Sequence, residues 1–408
     1  MVRRWALLCV LLFVALAPPT PAEDIPIGMS AAFTGQSRAL GIELYRGSIA
    51  VLDQVNREGG VHGHKIVLKA YDDGYNPLPA VSNTSRLVDR DGVFLLFDYV
   101  GTPTVTRVLP LLKMDAPKSV FLLFPFTGAL PQRVPPYGHY VFNLRASYYQ
   151  ETEGLVDHFA DRGFTRFGVF YQIDAYGRSG WEGTRTALAK RGLHLAGEST
   201  YQRGAEFTED MSRQVEILRQ ERADVVISVG SYAACAAFIR DARNAGWKVP
   251  VANLSFVGAE SLLALLRQEG QRRGRDYTGN LVISQVVPSY EATNLPAVRD
   301  YRELLGHLGN RLPPEIHAAD YAPLPLSSVS FEGFLNARLL VEILRRLGDP
   351  PLRTRLAETI ESIHDLDLGI GVPVSFGVDR HQGMDTVFYT TVRDGRLVPL
   401  DDWSQFVP

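Results

Sequence analysis

Along most of its length this chain alternates between two apolar spacings, and that alternation restricts its fold more than any other feature. "IPIGMS" reads as a strand entering the loop "FTGQSRALG", after which Ile42, Tyr45, Ile49 and Leu52 recur at helical spacing. "KIVLKAYDD" alternates as a strand. "VFLLF" at 93–97 is a short, wholly apolar strand of the kind buried on both faces. In "GTPTVTRVLPLLK", Thr102 is placed to cap a helix and Pro103 suits its first turn; "SVFLLF" returns to strand. A second series follows "YVFNLRASYYQETEG": strand "RFGVFY", helix 177–191, strand "LHLAGEST", a helix marked by Phe207, Met211, Val215 and Leu218, strand "ADVVISVG", helix 231–245 and strand "VPVANLSF". Strand followed by helix, repeated, implies parallel sheets with right-handed crossovers. Two such series in 408 residues, more than one core usually serves, predict an α/β protein with two similar lobes.

The remainder departs from this rhythm. After "GNLVISQVVPSY" the spacing predicts helices over 295–308, 331–347 and 352–363, and the Pro-rich "RLPPEIHAADYAPLPLSS" reads as a loop. "VPVSFGVDRHQGMDTVFYTTVRDGRLVPL" reads as strands, with the Asp-Gly of "RDGR" favouring a hairpin turn. At the other end, Arg3 and Arg4 precede an apolar run over 5–17, and Thr20 and Ala22 stand where a signal peptidase would cut after residue 22. A secretory leader over 1–22 is expected, hence an exported, periplasmic protein without a membrane span. Cys9 lies inside the run, and Leu11 to Ala17 continue past it, which argues against lipid attachment. Loss of the leader takes the formal charge from −3 to −5 and leaves Cys235 as the one cysteine, so no internal disulfide is expected. An acidic chain with no basic run gives no reason to expect a nucleic acid partner.

"NREGGVHGHKIVLKAYDDGYNP" over 56–77 tests for chemistry, because it holds two histidines and two adjacent aspartates. His62 and His64 straddle Gly63 in an apparent turn and would need metal ligands from elsewhere. Asp72 and Asp73 end a strand and so point to opposite faces, a poor arrangement for sharing a proton. Turn formation accounts for all four. No H-E-x-x-H, paired C-x-x-C, Walker lysine, G-x-S-x-G elbow or glycine fingerprint occurs, so neither an enzyme, a metal nor a cofactor is expected.

The same stretch closely resembles the first lobe of type I periplasmic substrate-binding proteins, the branched-chain amino acid and amide class that serves ABC transporters. "GMSAAFTGQSRALG", "FPFTGA", "VFNLRASYYQE", "DAYGRSG", "ADVVISVGSYAACAAFIRDARNAG" and "VSFGVDRHQGMD" extend the resemblance through nearly the whole exported chain. It implies two Rossmann-like lobes with parallel-sheet cores joined by a three-strand hinge, with crossings near 143–146, 283–287 and 371–375. Lobe 1 would combine 23–144 with 286–371, and lobe 2 would combine 145–285 with 372–408. A monomer that traps a small organic ligand and hands it to an inner-membrane ABC permease is implied; a periplasmic sensor or, less in keeping, an exported hydrolase are the alternatives.

In amino-acid binders of this class, two strand-to-helix loops of the first lobe hold the ligand carboxylate. The matching loops are "DYVGTPT" and "FPFTGA", which nominate Tyr99, Gly101, Thr102, Phe126, Thr127 and Gly128. A helix N-terminus at Thr102 suits an anion, although Thr102 as a plain cap is the competing reading. The second lobe contributes Tyr148, Gln150, Tyr176, Tyr232 and Ser255 by the same matching. Two departures stand out: Gly101 replaces a serine hydroxyl, and Ser255 replaces a glutamate that pairs with the ligand ammonium. A zwitterion would lack its charge partner there, so the expected ligand is not a standard branched-chain amino acid.

Overall fold

A computed structural model describes residues 23–314, 316–317 and 321–408. The expected leader over 1–22, Cys9 included, lies outside the described residues, as does part of the Pro-rich loop. The predicted alternation appears as two separate α/β sheets. The first collects β1 (Ile25–Ala31), α1 (Arg38–Arg57), β2 (Ile66–Asp72), α2 (Pro77–Ser85), β3 (Leu95–Phe97), α3 (Thr102–Met114), β4 (Leu122–Leu123) and β5 (Val141–Phe142). Its strands are all parallel, in the order β2-β1-β3-β4-β5.

The second series runs α4 (Tyr148–Asp161), β6 (Phe167–Gln172), α5 (Ala175–Lys190), β7 (Leu195–Tyr201), α6 (Ser212–Gln220), β8 (Val225–Val229), α7 (Tyr232–Asn244), β9 (Val251–Asn253), α8 (Ala259–Arg273) and β10 (Leu281–Gln285). The chain then returns to the first lobe with α9 (Pro296–Leu308), α10 (Ser328–Leu347), α11 (Leu356–Glu361), β11 (Leu366–Asp367) and β12 (Pro373–Val374). It finishes on the second sheet with β13 (Phe388–Arg393) and β14 (Arg396–Pro399). That sheet is ordered β14-β13-β10-β9-β8-β6-β7, parallel from β10 to β7 and antiparallel at the β13 edge. Asp394 and Gly395, both at positive φ, make the two-residue turn between β13 and β14, as the Asp-Gly pair predicts.

The histidine-rich stretch is architecture. Val61 and His64 exchange backbone hydrogen bonds of 2.8 and 2.9 Å around a turn with His62 at φ 52°, and Asn56 fastens that turn to Ile66. Nε2 of His64 pairs with Asp349 at 3.0 Å, while His62 bonds the Arg345 carbonyl. Asp72 accepts from the backbone of Phe33, Thr34 and Gly74; Asp73 accepts from Ser30 Oγ and Tyr75 N. The two carboxylates thus bind different faces of the β1 and β2 loops, as adjacent strand residues must. Among the described residues no group of three or more His, Cys, Asp or Glu side chains could hold a metal ion, and no helix is long and apolar enough to cross a membrane.

The lobes are joined by three chain passages. Residues 143–147 lead from β5 into α4, and the segment after β10 leads to α9. The third passage lies beyond the 371–375 stretch implied by resemblance. Phe376 and His381 still pack on Phe142 of the first lobe. Asn143 and Gln382 form a parallel bridge, and the Gly383 and Met384 amides donate to the Asn143 and Leu144 carbonyls at 2.8 and 3.0 Å. The short β11–β12 pair belongs to a first-lobe loop whose brief extended run reads from sequence like a crossing strand.

A candidate ligand cleft between the lobes

In parallel α/β sheets the strands' carboxyl ends are where loops leave room for a ligand. Here the carboxyl ends of both sheets face one another, and the loops leaving β3, β4, β6, β8 and β9 supply the nominated residues. Side chains and backbone meet across the gap. Tyr148 N donates to the Gly128 carbonyl at 2.7 Å, Gln172 Nε2 to Tyr75 Oη at 3.3 Å, and Ala39 N to Tyr232 Oη at 3.4 Å. The Phe256 ring of the second lobe lies 5.3 Å from Phe126 and 5.8 Å from Tyr75 of the first.

On the first lobe, α3 starts at Thr102 with Gly101 in the capping position, so Thr102 is not a side-chain cap. Its hydroxyl instead bonds that of Thr127 at 2.6 Å. The N–H groups of this first turn have no helical partner and carry partial positive charge. Gly101 sits at φ 101°, and a Cβ there would come within 2.2 Å of the Tyr75 ring. Any side chain at this position would have to displace the Tyr75 ring. A Cβ on Gly128 would likewise meet the Tyr148 ring at 2.5 Å. Phe126 and Thr127 are fully buried beside them.

On the second lobe, the Tyr148 and Tyr176 rings lie 5.1 Å apart, tilted by 48°, and Tyr176 lies 4.7 Å from Phe256. Both tyrosines are 0% exposed, and the Tyr176 hydroxyl makes no hydrogen bond. Burial pushes both phenols upward in pKa, so each keeps its proton at neutral pH; for Tyr148, Arg145 and the Thr127 and Thr102 hydroxyls pull the other way. Ser255 is engaged: its N–H and hydroxyl both donate to Glu151, at 2.8 and 3.0 Å, and Ser284 Oγ adds a third bond at 2.6 Å.

Two nominated residues turn elsewhere. Tyr99 lies past the end of β3, after Asp98 at φ 52°, where the chain turns. Asp98 points toward α1 and α10, bonded by Ser48 and Asn336, and Tyr99 points to Thr84 within the core under α2 and α3. Gln150 closes a capping box with Ser147 at the start of α4 and also bonds Gln382 and Asp385. It braces the passages between lobes. Tyr232 stands at the half-buried rim.

Arg145 is the residue that sequence reasoning passed over. It is 2% exposed, on the first passage, with its guanidinium carbon 4.7 Å from the Phe126 ring centroid and 5.9 Å from that of Tyr148. Nη2 contacts Glu151 of the second lobe at 3.5 Å and donates to Ser255 Oγ; Nη1 lies 3.3 Å from Glu332 of α10 in the first. Nε and Nη1 make no hydrogen bond. Arg133 backs this centre, bonding the Thr127, Ala129 and Arg145 carbonyls and Gln382. The signal available in sequence was a lone arginine inside an apolar passage, "FNLRA", which cannot be buried without acidic partners.

The match to the periplasmic binding protein family model spans residues 24–396. A Leu/Ile/Val-binding protein homolog 8 of Brucella abortus is 25% identical over 402 residues, covering 95% of this chain and 91% of that one. A possible leucine/isoleucine/valine-binding protein from Rhodopirellula baltica superposes with a TM-score of 0.81 at 30% identity, covering 94% of this chain and 98% of that one. A branched chain amino acid ABC transporter protein from Thermus thermophilus, solved with bound valine, has a TM-score of 0.77 at 18% identity, covering 93% and 96%, and shares the fold. Two parallel-sheet lobes, three passages between them and a cleft lined from both sides agree with those matches, and the chain belongs to the periplasmic binding protein family of ABC-transporter substrate-binding proteins.

Proposed function

We propose that the chain is exported with removal of residues 1–22, closes its lobes on a small organic ligand, and presents the closed form to an inner-membrane ABC permease. One observation carries the ligand-trapping reading: groups from both lobes converge on a single buried centre, with Thr102, Phe126 and Thr127 on one side and Tyr148, Tyr176 and Phe256 on the other. A ligand touching both sides favours the closed arrangement by its differential affinity for it. No covalent step is needed. Leucine, isoleucine and valine are disfavoured as ligands. Ser255 stands where a glutamate would meet the ammonium, and the carboxylates near it, Glu151 and Glu332, already face Arg145.

The test is a thermal-shift screen of the chain from Glu23 onward, after unfolding and refolding to strip bound material, against amino acids, amides, ureas, sugars and organic acids. A binder at about 100 times its dissociation constant should stabilise the protein by roughly 2.7 kcal/mol, with no comparable shift from leucine. A strong leucine shift would overturn the ligand argument. A refolded protein that responds to nothing in so wide a panel would count against the receptor reading itself.

A further inference from the structure

The buried centre of the cleft is lopsided in its hydrogen bonding. Tyr176 Oη and Arg145 Nε make no hydrogen bond, and Arg145 Nη1 meets Glu332 only as an ion pair at 3.3 Å, all in side chains at most 2% exposed. Guanidinium nitrogens donate only, and protonated phenols donate readily. Beside them lie the Thr102 and Thr127 hydroxyls and the first turn of α3, whose free N–H groups also donate. The carboxylates, by contrast, are committed: Glu151 takes bonds from Ser255 N, Ser255 Oγ and Ser284 Oγ, and Glu332 faces Arg145. The centre therefore offers an anion several donors and offers an ammonium no unengaged carboxylate. Around these donors the rings of Phe126, Phe256, Tyr148 and Tyr176 pack with centroids 4.7–5.3 Å apart, and when the lobes part these faces would suit a flat apolar body.

We propose that the ligand is a small monocarboxylic acid with a flat, apolar, aromatic body and no ammonium group, its carboxylate received by Arg145 and the Tyr148 and Tyr176 hydroxyls. This rests on the ligand-trapping reading above and names the class of its ligand. Arg145 is the specificity-determining residue. Its planar fork matches a carboxylate, and its place on the passage between lobes lets an arriving anion engage both halves of the molecule at once. The Tyr148 and Tyr176 hydroxyls complete the site, and Tyr176, buried without a hydrogen bond, gains most from an incoming acceptor.

Calorimetric titration of the refolded chain from Glu23 onward tests this with benzoate, 4-hydroxybenzoate and phenylacetate against benzamide and phenylglycine. At least one of the three acids should bind, while benzamide, which lacks the charge, and phenylglycine, which adds an ammonium, bind tenfold or more weakly. Arg145→Lys and Tyr176→Phe should each weaken the bound acid about tenfold or more. Tyr176→Phe should also leave the melting midpoint of the empty protein unchanged or raised, since it removes a group that pairs with nothing, so its binding loss cannot be ascribed to misfolding. If none of the three acids binds while an amide, sugar or amino acid from the wider screen does, the class is wrong and the receptor reading survives. If an acid binds but both variants bind it as well as the parent, the assignment of Arg145 and the tyrosines is overturned. If nothing in either panel binds, both readings fall.

Discussion

Two residues at the cleft show how single side chains govern this site. Gly101 is held at a positive φ with the Tyr75 ring against it, so a side chain cannot be added there without moving that ring. Gly101→Ser should cost about 1–3 kcal/mol through overpacking alone, seen as a lower melting temperature; a variant that melts with the parent would remove the steric explanation. Glu332 makes a pH prediction. Burial pushes its carboxyl up to about 7, Glu151 adds to that rise, and Arg145 and Arg133 oppose it. Burial also raises Asp73 to about 7, where Ser30 and Tyr75 N oppose the shift and Asp72 adds to it. A carboxyl raised in the folded state binds its proton more tightly there than in the unfolded chain. Its contribution is therefore complete below the unfolded value near 4 and is lost as pH rises through 7. The melting temperature should fall between pH 5 and 8, by on the order of 1–3 kcal/mol of stability per group, and Glu332→Gln should flatten that slope. An unchanged slope in the variant would show that Glu332 does not titrate in this window.

At the level of elements, the sequence exposes periodicity well and direction poorly. Strands β1, β2, β6 and β8 and the β13–β14 turn were legible because apolar alternation and an Asp-Gly pair have local causes. The cap at α3 was misread: a threonine before proline is a good cap in isolation, but Gly101 already takes that position and Thr102 finds Thr127 across the loop. Tyr99 was drawn into the site by alignment of loops. Its direction is set by the turn at Asp98, φ 52°, just past β3, and local apolar pattern carries no signal for such a turn. Arg145, Glu151 and Glu332 could not be assembled from sequence, because they come from a passage and from two helices of different lobes and meet only once both lobes are folded. Of the nominated residues, those whose loops leave strand ends toward the gap come together; the rim tyrosine and the bracing glutamine stand beside them.

Across the whole molecule, closure has a contact that does not involve the ligand centre. Glu260 of α8 accepts from the backbone N–H and the hydroxyl of Ser328, at 3.0 and 2.9 Å, at the start of α10 in the opposite lobe. A carboxylate at a helix N-terminus is favourable by roughly 0.3–1 kcal/mol. Glu260→Ala should therefore weaken ligand binding several-fold without touching the ligand and enlarge the radius of gyration of the unliganded protein in solution scattering. Unchanged affinity and dimensions would mean the contact has no bearing on closure. The split construction of the first lobe reaches further, to the order in which the chain can fold. Ser48 of α1 donates to the Gly333 carbonyl of α10, a partner 285 residues away, and α10 lies along α1 for much of its length. The amino-terminal half of that lobe emerges with the apolar face of α1 uncovered and stays so until the carboxyl-terminal third has been made. The second lobe, nearly continuous in sequence from α4 to β10, has no such wait. A chain built this way completes its first lobe last, which keeps that lobe open for the longest part of its synthesis.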